Sequence, residues 1–203
     1  VVNAADNKQR DPDMSKLEII VDAENNKISV FNNGDGIPVV MHKEHQMYIP
    51  TMIFGHLLTG SNFDDGEKKT TGGRNGYGAK LANVFSTEFI VECASTDSGL
   101  KFRQVFRNNM SVAEEPVVKK LSAAEAKRGD FVRITFSPDL PRFGMESLDE
   151  DAVGLLSKRA YDIAGSMGNA GGKKLTVSLN GEKLGVKNFK QYLALFDGID
   201  PPV

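Results

Sequence analysis

Apolar residues recur along this chain at two periods, and each period names a different kind of element. Within 1–11 the polar residues Asn3, Asp6, Asn7 and Arg10 fall at i, i+3, i+4 and i+7, which is one face of a helix. Pro12 ends that helix, because proline has no N–H for the backbone ladder and restrains the residue before it. Such a polar face is either solvated or lines a site. The β-rich runs 17–21 and 28–33 flank turn-forming residues and predict a hairpin, which Asn32-Asn33-Gly34-Asp35-Gly36-Ile37-Pro38 breaks sharply. Pro50 opens a helix with Ile53, Phe54, Leu57 and Leu58 as its buried stripe, ending near Gly60. The charged stretch 64–71 reads as a mobile loop. Residues 79–85 form a short helix with Leu81, Val84 and Phe85 turned inward.

Four strand-like runs follow, 88–94, 101–107, 116–121 and 131–137, and a series of this kind predicts a mostly antiparallel meander. A long helix over 148–166 carries Val153, Leu156, Ala160 and Ile163 on one face. Residues 175–179 run into Asn180-Gly181, the strongest hairpin signal in the chain, and 189–196 form a last short helix. Strands outnumber the long helices and do not alternate with them, which disfavours a doubly wound parallel sheet. The expected class is α+β, a two-layer α/β sandwich in which a mixed, mostly antiparallel sheet is covered on one face by helices. One domain over 1–203 is expected, with no internal repeat.

Composition narrows the function. At 203 residues with net charge −2, the chain is not the strongly basic object that free nucleic-acid binding needs, so any DNA contact is local or made elsewhere. No apolar run approaches the roughly 20 residues that span a bilayer, so a membrane role has no support. The single Cys93 cannot form an intrachain disulfide and reads as a small buried residue in a strand. Val1-Val2-Asn3-Ala4-Ala5 reads as helix interior without a cap or signal peptide, so a helix is expected to have lost its start.

The densest chemical signal is Gly72-Gly73-Arg74-Asn75-Gly76-Tyr77-Gly78, leading straight into Ala79-Lys80-Leu81. Closely spaced glycines free the backbone to aim its N–H groups at one point, and the following helix adds unpaired N–H groups and a positive dipole end. Lys80, a cation in the first turn, is unfavourable there unless something negative neutralises it, which favours phosphate. Gly73 and Gly78 have Walker A spacing, but Ala79 intervenes before Lys80, and the third glycine of a Rossmann loop is Leu81 here. The loop therefore belongs to another phosphate cradle. A second constellation, Asn32-x-Gly34-x-Gly36, offers a polar side chain at a strand end and two glycines that let a flat ring approach the backbone, suited to an adenine edge. Asn3 offers an amide oxygen to the near-octahedral shell that Mg²⁺ completes with phosphate oxygens and water. His42, His45 and His56 read as surface residues without a third ligand, and Lys8, Arg10 and Arg74 are left open between a partner subunit and the nucleotide.

Five stretches together carry a likeness: Asn3-Ala4-Ala5-Asp6-Asn7-Lys8-Gln9-Arg10-Asp11, Asn32-Asn33-Gly34-Asp35-Gly36-Ile37-Pro38-Val39, Leu57-Leu58-Thr59-Gly60-Ser61-Asn62, Gly72 through Leu81, and Tyr161-Asp162-Ile163-Ala164-Gly165. They resemble the ATPase domain of eukaryotic type II DNA topoisomerases, within a superfamily that includes gyrase, Hsp90, histidine kinases and MutL. The resemblance implies the Bergerat ATP-binding fold, with ATP and Mg²⁺ as cofactors. It matches Asn3 to the Mg²⁺-ligating asparagine, with Asn7 beside it on the same helix, and Asn32 to the adenine side. It matches Gly60, Ser61 and Asn62 to the segment that meets ribose and phosphates, although the family often has serine at Gly60. Gly73, Arg74, Asn75, Gly76, Tyr77, Gly78, Ala79 and Lys80 match the triphosphate loop, and Thr135 a threonine near adenine. The stretch 64–71 then has a functional alternative, a lid closing over ATP.

The same likeness places the general-base glutamate four residues before Asn3, outside this sequence, so no catalytic residue is assigned and the stretch is expected to bind nucleotide but hydrolyse it poorly. For the whole enzyme it implies a homodimer closed by ATP, passage of one double-stranded DNA through another, and a nuclear location. The rivals are a chaperone or mismatch-repair ATPase of the same superfamily and a non-catalytic nucleotide sensor.

Overall fold

The computed structural model describes residues 1–56 and 77–196. Its spine is one sheet with strand order β5-β4-β3-β7-β2-β1-β8-β9, with β6 paired to β4. The strands are β1 (Lys16–Asp22), β2 (Lys27–Asn33), β3 (Ser86–Ser95), β4 (Leu100–Arg107), β5 (Val112–Ala113), β6 (Val117–Lys120), β7 (Phe131–Pro138), β8 (Thr176–Leu179) and β9 (Glu182–Lys183). All pairings are antiparallel except β1 with β8. The expected mixed, mostly antiparallel sheet is therefore present. The simple meander is not, since β6 folds back on β4 while β7 crosses to the other edge of β3 and separates it from β2.

Strand periodicity sorts the two faces. Leu17, Ile19, Val21, Ile28, Phe89, Val91, Cys93, Phe102 and Phe106 point to one side and are buried there. The other face carries Glu18, Ile20, Phe31 and Arg133, with Phe31 and Phe131 stacked at 5.6 Å and the Arg133 guanidinium 5.0 Å from the Phe31 ring. The buried side divides into two clusters. The first joins β1, β2 and β8 to Ala4 and Ala5 of α1 (Val2–Arg10) and to Ala160, Ala164 and Met167 of α5 (Glu150–Met167). The second joins β3 and β4 to Phe54 of α2 (Ile49–Gly55) and to Ala79 and Ala82 of α3 (Gly78–Val84).

Local chemistry explains most boundaries. Asp149 caps α5 by accepting from the Ala152 N–H at 2.8 Å. Asn180 and Gly181 both take positive φ, 49° and 86°, as the tight turn from β8 to β9 requires. α6 (Phe189–Leu193) is capped by Asn188 and packs its Tyr192 on Gly165, where a Cβ would lie 2.5 Å from the Tyr192 Cβ. The Tyr192 hydroxyl and the Lys158 ammonium both donate to Asp162, which gives the Tyr161-to-Gly165 stretch a structural role in joining α5 to α6. α4 (Ala123–Arg128), absent from the sequence-based expectation, is built on a complete capping box between Ser122 and Glu125. The helix opened by Pro50 is shorter than expected, because His56 is already extended, at φ −120° and ψ 133°. Leu57, Leu58 and Gly60 lie outside the described residues, as does the charged stretch 64–71.

Lys8 settles one question that the sequence leaves open. It is only 1% exposed, and its ammonium donates to the carbonyls of Pro12 and Lys173, both at 2.7 Å. It is a bolt between the end of α1 and the segment before β8, not a partner contact. Charge-assisted bonds of this kind contribute about 1.5–3 kcal/mol each. Lys8→Met keeps the stem and removes both, so it is expected to cost about 3 kcal/mol. For a domain of this size that lowers the melting temperature by roughly 6–12 °C, readable by calorimetry.

Candidate functional site

α1 presents its polar face to the loop that follows β2. Asn7 Nδ2 donates to the Asp35 carbonyl at 3.3 Å, and Asn3, one turn earlier on the same face, is exposed. The Asp11 carboxylate locks this corner, accepting from Asp13 N through one oxygen and from Asp35 N through the other, each at 2.8 Å. Asn33 turns its amide to Ser15 and Lys16, leaving Asn32 as the polar side chain at the end of β2 on the helix-covered face. Asn32 is buried, with Nδ2 donating to the Asn33 carbonyl at 3.1 Å. It follows Val30, which packs on the first core cluster, and it pairs with Val132, which packs on the second. The pair Asn32 and Val132 therefore stands at the seam between the two groups of helices.

Two sequence-based expectations change here. Thr135 pairs with Ser29, whose hydroxyl it meets at 2.9 Å, and both lie on the opposite face of the sheet from Asn32. Residues paired across a ladder share a face and alternate residues swap it, so Thr135 and Asn32 cannot serve one site. Val132 is the β7 residue on the Asn32 side. The glycines of Asn32-x-Gly34-x-Gly36 are also used differently. Gly34 has φ +94°, and a Cβ there would collide with Asp11 Oδ2 and fall 2.8 Å from Met14 Cβ. At Gly36 a Cβ would fall 2.6 Å from the Ala94 carbonyl oxygen. The close approach that requires glycine is made by the protein's own backbone and side chains, not by a ligand's ring.

α3 is rotated relative to its expected orientation. Leu81 is 47% and Phe85 36% exposed, whereas Lys80 and Asn83 are 2% and 0% exposed. Val84 is half-buried. The reason is steric: Ala79 and Ala82 are small enough to bring the helix against the second cluster, and Lys80 and Asn83, each the next residue along the helix, are carried inward with them while Leu81 turns out. Phe85 instead meets Phe143, ring to ring at 5.6 Å. Burial lowers the pKa of the Lys80 ammonium.

The two ends of α3 differ. At its C-terminal end Ser86 Oγ donates to the Ala82 carbonyl, Asn109 Nδ2 donates to the Val84 carbonyl at 2.9 Å, and Asn83 Nδ2 reaches across to Phe54 O at 3.0 Å. At its N-terminal end Tyr77 makes no side-chain cap, Tyr77 and Gly78 are exposed, and a Cβ on Gly78 would meet no atom of the described residues within 4 Å. A helix fixed at one end and open at the other presents its first N–H groups to whatever approaches. Gly60, Ser61, Asn62, Gly73, Arg74, Asn75 and Gly76 lie outside the described residues; Tyr77, Gly78, Ala79 and Lys80 lie within them.

Other candidates are set aside by their surroundings. Cys93 is fully buried, and burial, with the nearby Asp130 charge, pushes its thiol up to about 12, so it is no nucleophile. His42 and His45 sit 4.9 Å apart at the surface, and His56 is exposed. Among the described residues no three His, Cys, Asp or Glu stand together as metal ligands, and no helix is long and apolar enough to cross a membrane. A surface hollow of about 670 Å³ beside α6 is lined by none of the site residues. Asn83, Asp11 and Val132 were not singled out as site-building residues from the sequence, and only the ladder register and hydrogen bonds identify them.

Residues 1–142 match the family described as histidine kinase-, DNA gyrase B-, and HSP90-like ATPase. The DNA topoisomerase 2 of Drosophila melanogaster is 54% identical over 208 aligned positions, covering 100% of this chain and 14% of that protein. Among solved structures, the ATPase and transducer domains of DNA topoisomerase II from Balamuthia mandrillaris superpose with a TM-score of 0.89 at 54% identity, covering 97% of this chain and 48% of that one. The ATPase region of Saccharomyces cerevisiae topoisomerase II gives 0.88 at 49% identity, over 96% and 49% of the two chains.

Proposed function

We propose that this chain, which belongs to the histidine kinase-, DNA gyrase B- and HSP90-like ATPase family, binds Mg²⁺-ATP as the ATPase domain of a type IIA DNA topoisomerase. The observation that carries the binding reading is α3, bolted to the core at its C-terminal end and uncapped at its glycine end. Its first N–H groups and dipole favour the terminal phosphates, and the buried Lys80 ammonium adds a positive charge beside them that a bound anion would help to hold in its protonated form. Asn32, with Val132 beside it, takes the adenine side, and Asn3 would hold Mg²⁺ through its amide oxygen.

Mg²⁺ held by Asn3 would supply charge neutralisation at the phosphoryl group, and the protein's own share of the work is positioning and electrostatic stabilisation. Hydrolysis is assigned to the full-length protein, since no residue of this stretch is given the role of general base. The chain spans about one seventh of the Drosophila relative. The relatives' names support a DNA topoisomerase, and with that reading go passage of one DNA duplex through another and closure of two copies of this domain on ATP. Their eukaryotic sources support work in the nucleus. A non-catalytic nucleotide sensor would share the binding site and differ only in turnover, so ATP hydrolysis by the full-length protein with and without supercoiled DNA separates the two.

The binding reading is tested by titrating the chain with a non-hydrolysable ATP analogue in a calorimeter. Asn3→Ala is expected to weaken binding about tenfold in Mg²⁺, the loss of one ligand bond, and to leave binding in EDTA unchanged. Equal losses in both buffers would remove Asn3 from the metal shell.

A further inference from the structure

The Asn83 side chain joins the two helices on either side of residues 57–76, and its chemistry is unusual. It sits on α3 with no exposed surface, and its Nδ2 donates at 3.0 Å to the carbonyl of Phe54, next to last in α2. That carbonyl belongs to the last turn of α2, whose carbonyls lack partners within their own helix, and the C-cap His56 is already extended. Asn83 therefore caps α2 from another helix. Its Oδ1 is buried as well and accepts no hydrogen bond among the described residues.

A buried amide oxygen left without a donor costs about 1–3 kcal/mol. A leucine or alanine would avoid that cost if the site needed only to be filled. Retaining an amide makes sense where its donor half has a task that offsets the cost. The task visible here is to hold α3 at a fixed height and rotation against α2, with Lys80 one turn earlier on the same buried face. Ser86 and Asn109 fix carbonyls of the last turn of α3, but neither links it to α2.

We infer that Asn83 is a positioning residue for the nucleotide's phosphates: by capping α2 it sets where the first N–H groups of α3 and the Lys80 ammonium stand. The inference rests on the phosphate reading of α3 given above. It acts through the helix and has no contact with the phosphates themselves.

Two substitutions test it with the chain, Mg²⁺ and a non-hydrolysable ATP analogue. Asn83→Ala deletes the donor, and affinity falls about tenfold at every pH between 5.5 and 8. Asn83→Asp keeps the shape. Burial raises the pKa of the new carboxyl, so at pH 5.5 it is protonated, its hydroxyl donates to the Phe54 carbonyl, and affinity returns to within threefold of the unaltered chain. At pH 8 it is ionised, repels that carbonyl, and affinity is at least tenfold lower. A residue that merely fills space would give no such pH dependence. Unaltered affinity in both variants, a loss in Asn83→Asp that does not vary with pH, or failure of both variants to fold would each overturn the inference. Gly78→Val, measured alongside, keeps the two readings apart. If it binds the analogue normally, the phosphate site itself is wrong; if it alone loses binding, only the role of Asn83 fails.

Discussion

Gly78→Val is expected to abolish measurable binding of an ATP analogue while leaving the fold as stable as before. The two halves of that expectation have separate grounds. Gly78 is the first residue of α3 and has no positive φ, and a Cβ placed on it finds no atom of the described residues within 4 Å. The folded chain therefore accepts a branched side chain there at a cost of no more than about 1 kcal/mol, the ordinary range of helix propensity. The same open volume is where the proposed phosphates lie against the uncapped N–H groups, and an isopropyl group in it removes close approach. A loss of at least 100-fold in affinity, about 2.7 kcal/mol, is the expected reading in a calorimeter. The melting temperature without nucleotide should stay within about 3 °C. Normal affinity in a folded variant would show that the phosphates lie elsewhere.

Gly34→Ala should do the reverse, damaging the fold before any ligand is added. The backbone there has φ +94°, which a side chain tolerates poorly, at about 1–2 kcal/mol. The added methyl also collides with the Asp11 carboxylate, whose Oδ2 accepts from Asp35 N, and a hydrogen bond to a charged group contributes about 1.5–3 kcal/mol. Together these predict a loss of about 4 kcal/mol and a melting temperature lower by roughly 8–16 °C. In urea the midpoint should fall with an unchanged slope. Were the glycine there to admit a ligand's ring, as its sequence context suggests, stability without ligand would be untouched and only binding would weaken. The two readings thus predict opposite results from one denaturation curve.

The contrast between these glycines shows how far the candidate site could be read from residues alone. The dense run ending at Gly78 leads into a helix, and the structure leaves that helix's first residues open, as the run suggested. The pair Gly34 and Gly36 looked like ligand-facing glycines and is crowded by Asp11, Met14 and Ala94 instead, residues up to 58 positions away. Thr135 was matched by position in a strand, and an odd or even count decides which face a strand residue occupies. A displacement of three residues along β7, from Val132 to Thr135, was enough to move the assignment through the sheet. The capping box of α4 was legible in Ser122-Ala123-Ala124-Glu125 and simply lacks a hydrophobic stripe to draw attention to it. Asn83 and Lys8 gave no local signal, since their partners are the carbonyls of Phe54, Pro12 and Lys173.

By itself the sequence determined the hairpin of β1 and β2, the long capped α5, the Asn180-Gly181 turn and the mixed sheet, because periodicity, capping and turn chemistry act over a few residues and leave their mark there. Tertiary structure alone decided that β7 lies between β3 and β2, that α3 turns Lys80 and Asn83 inward while Leu81 faces out, and that Asn32 shares its face with Val132. Those outcomes depend on which distant side chains are small enough to let elements approach and which buried carbonyls still need a donor, and neither condition is written in the neighbouring residues.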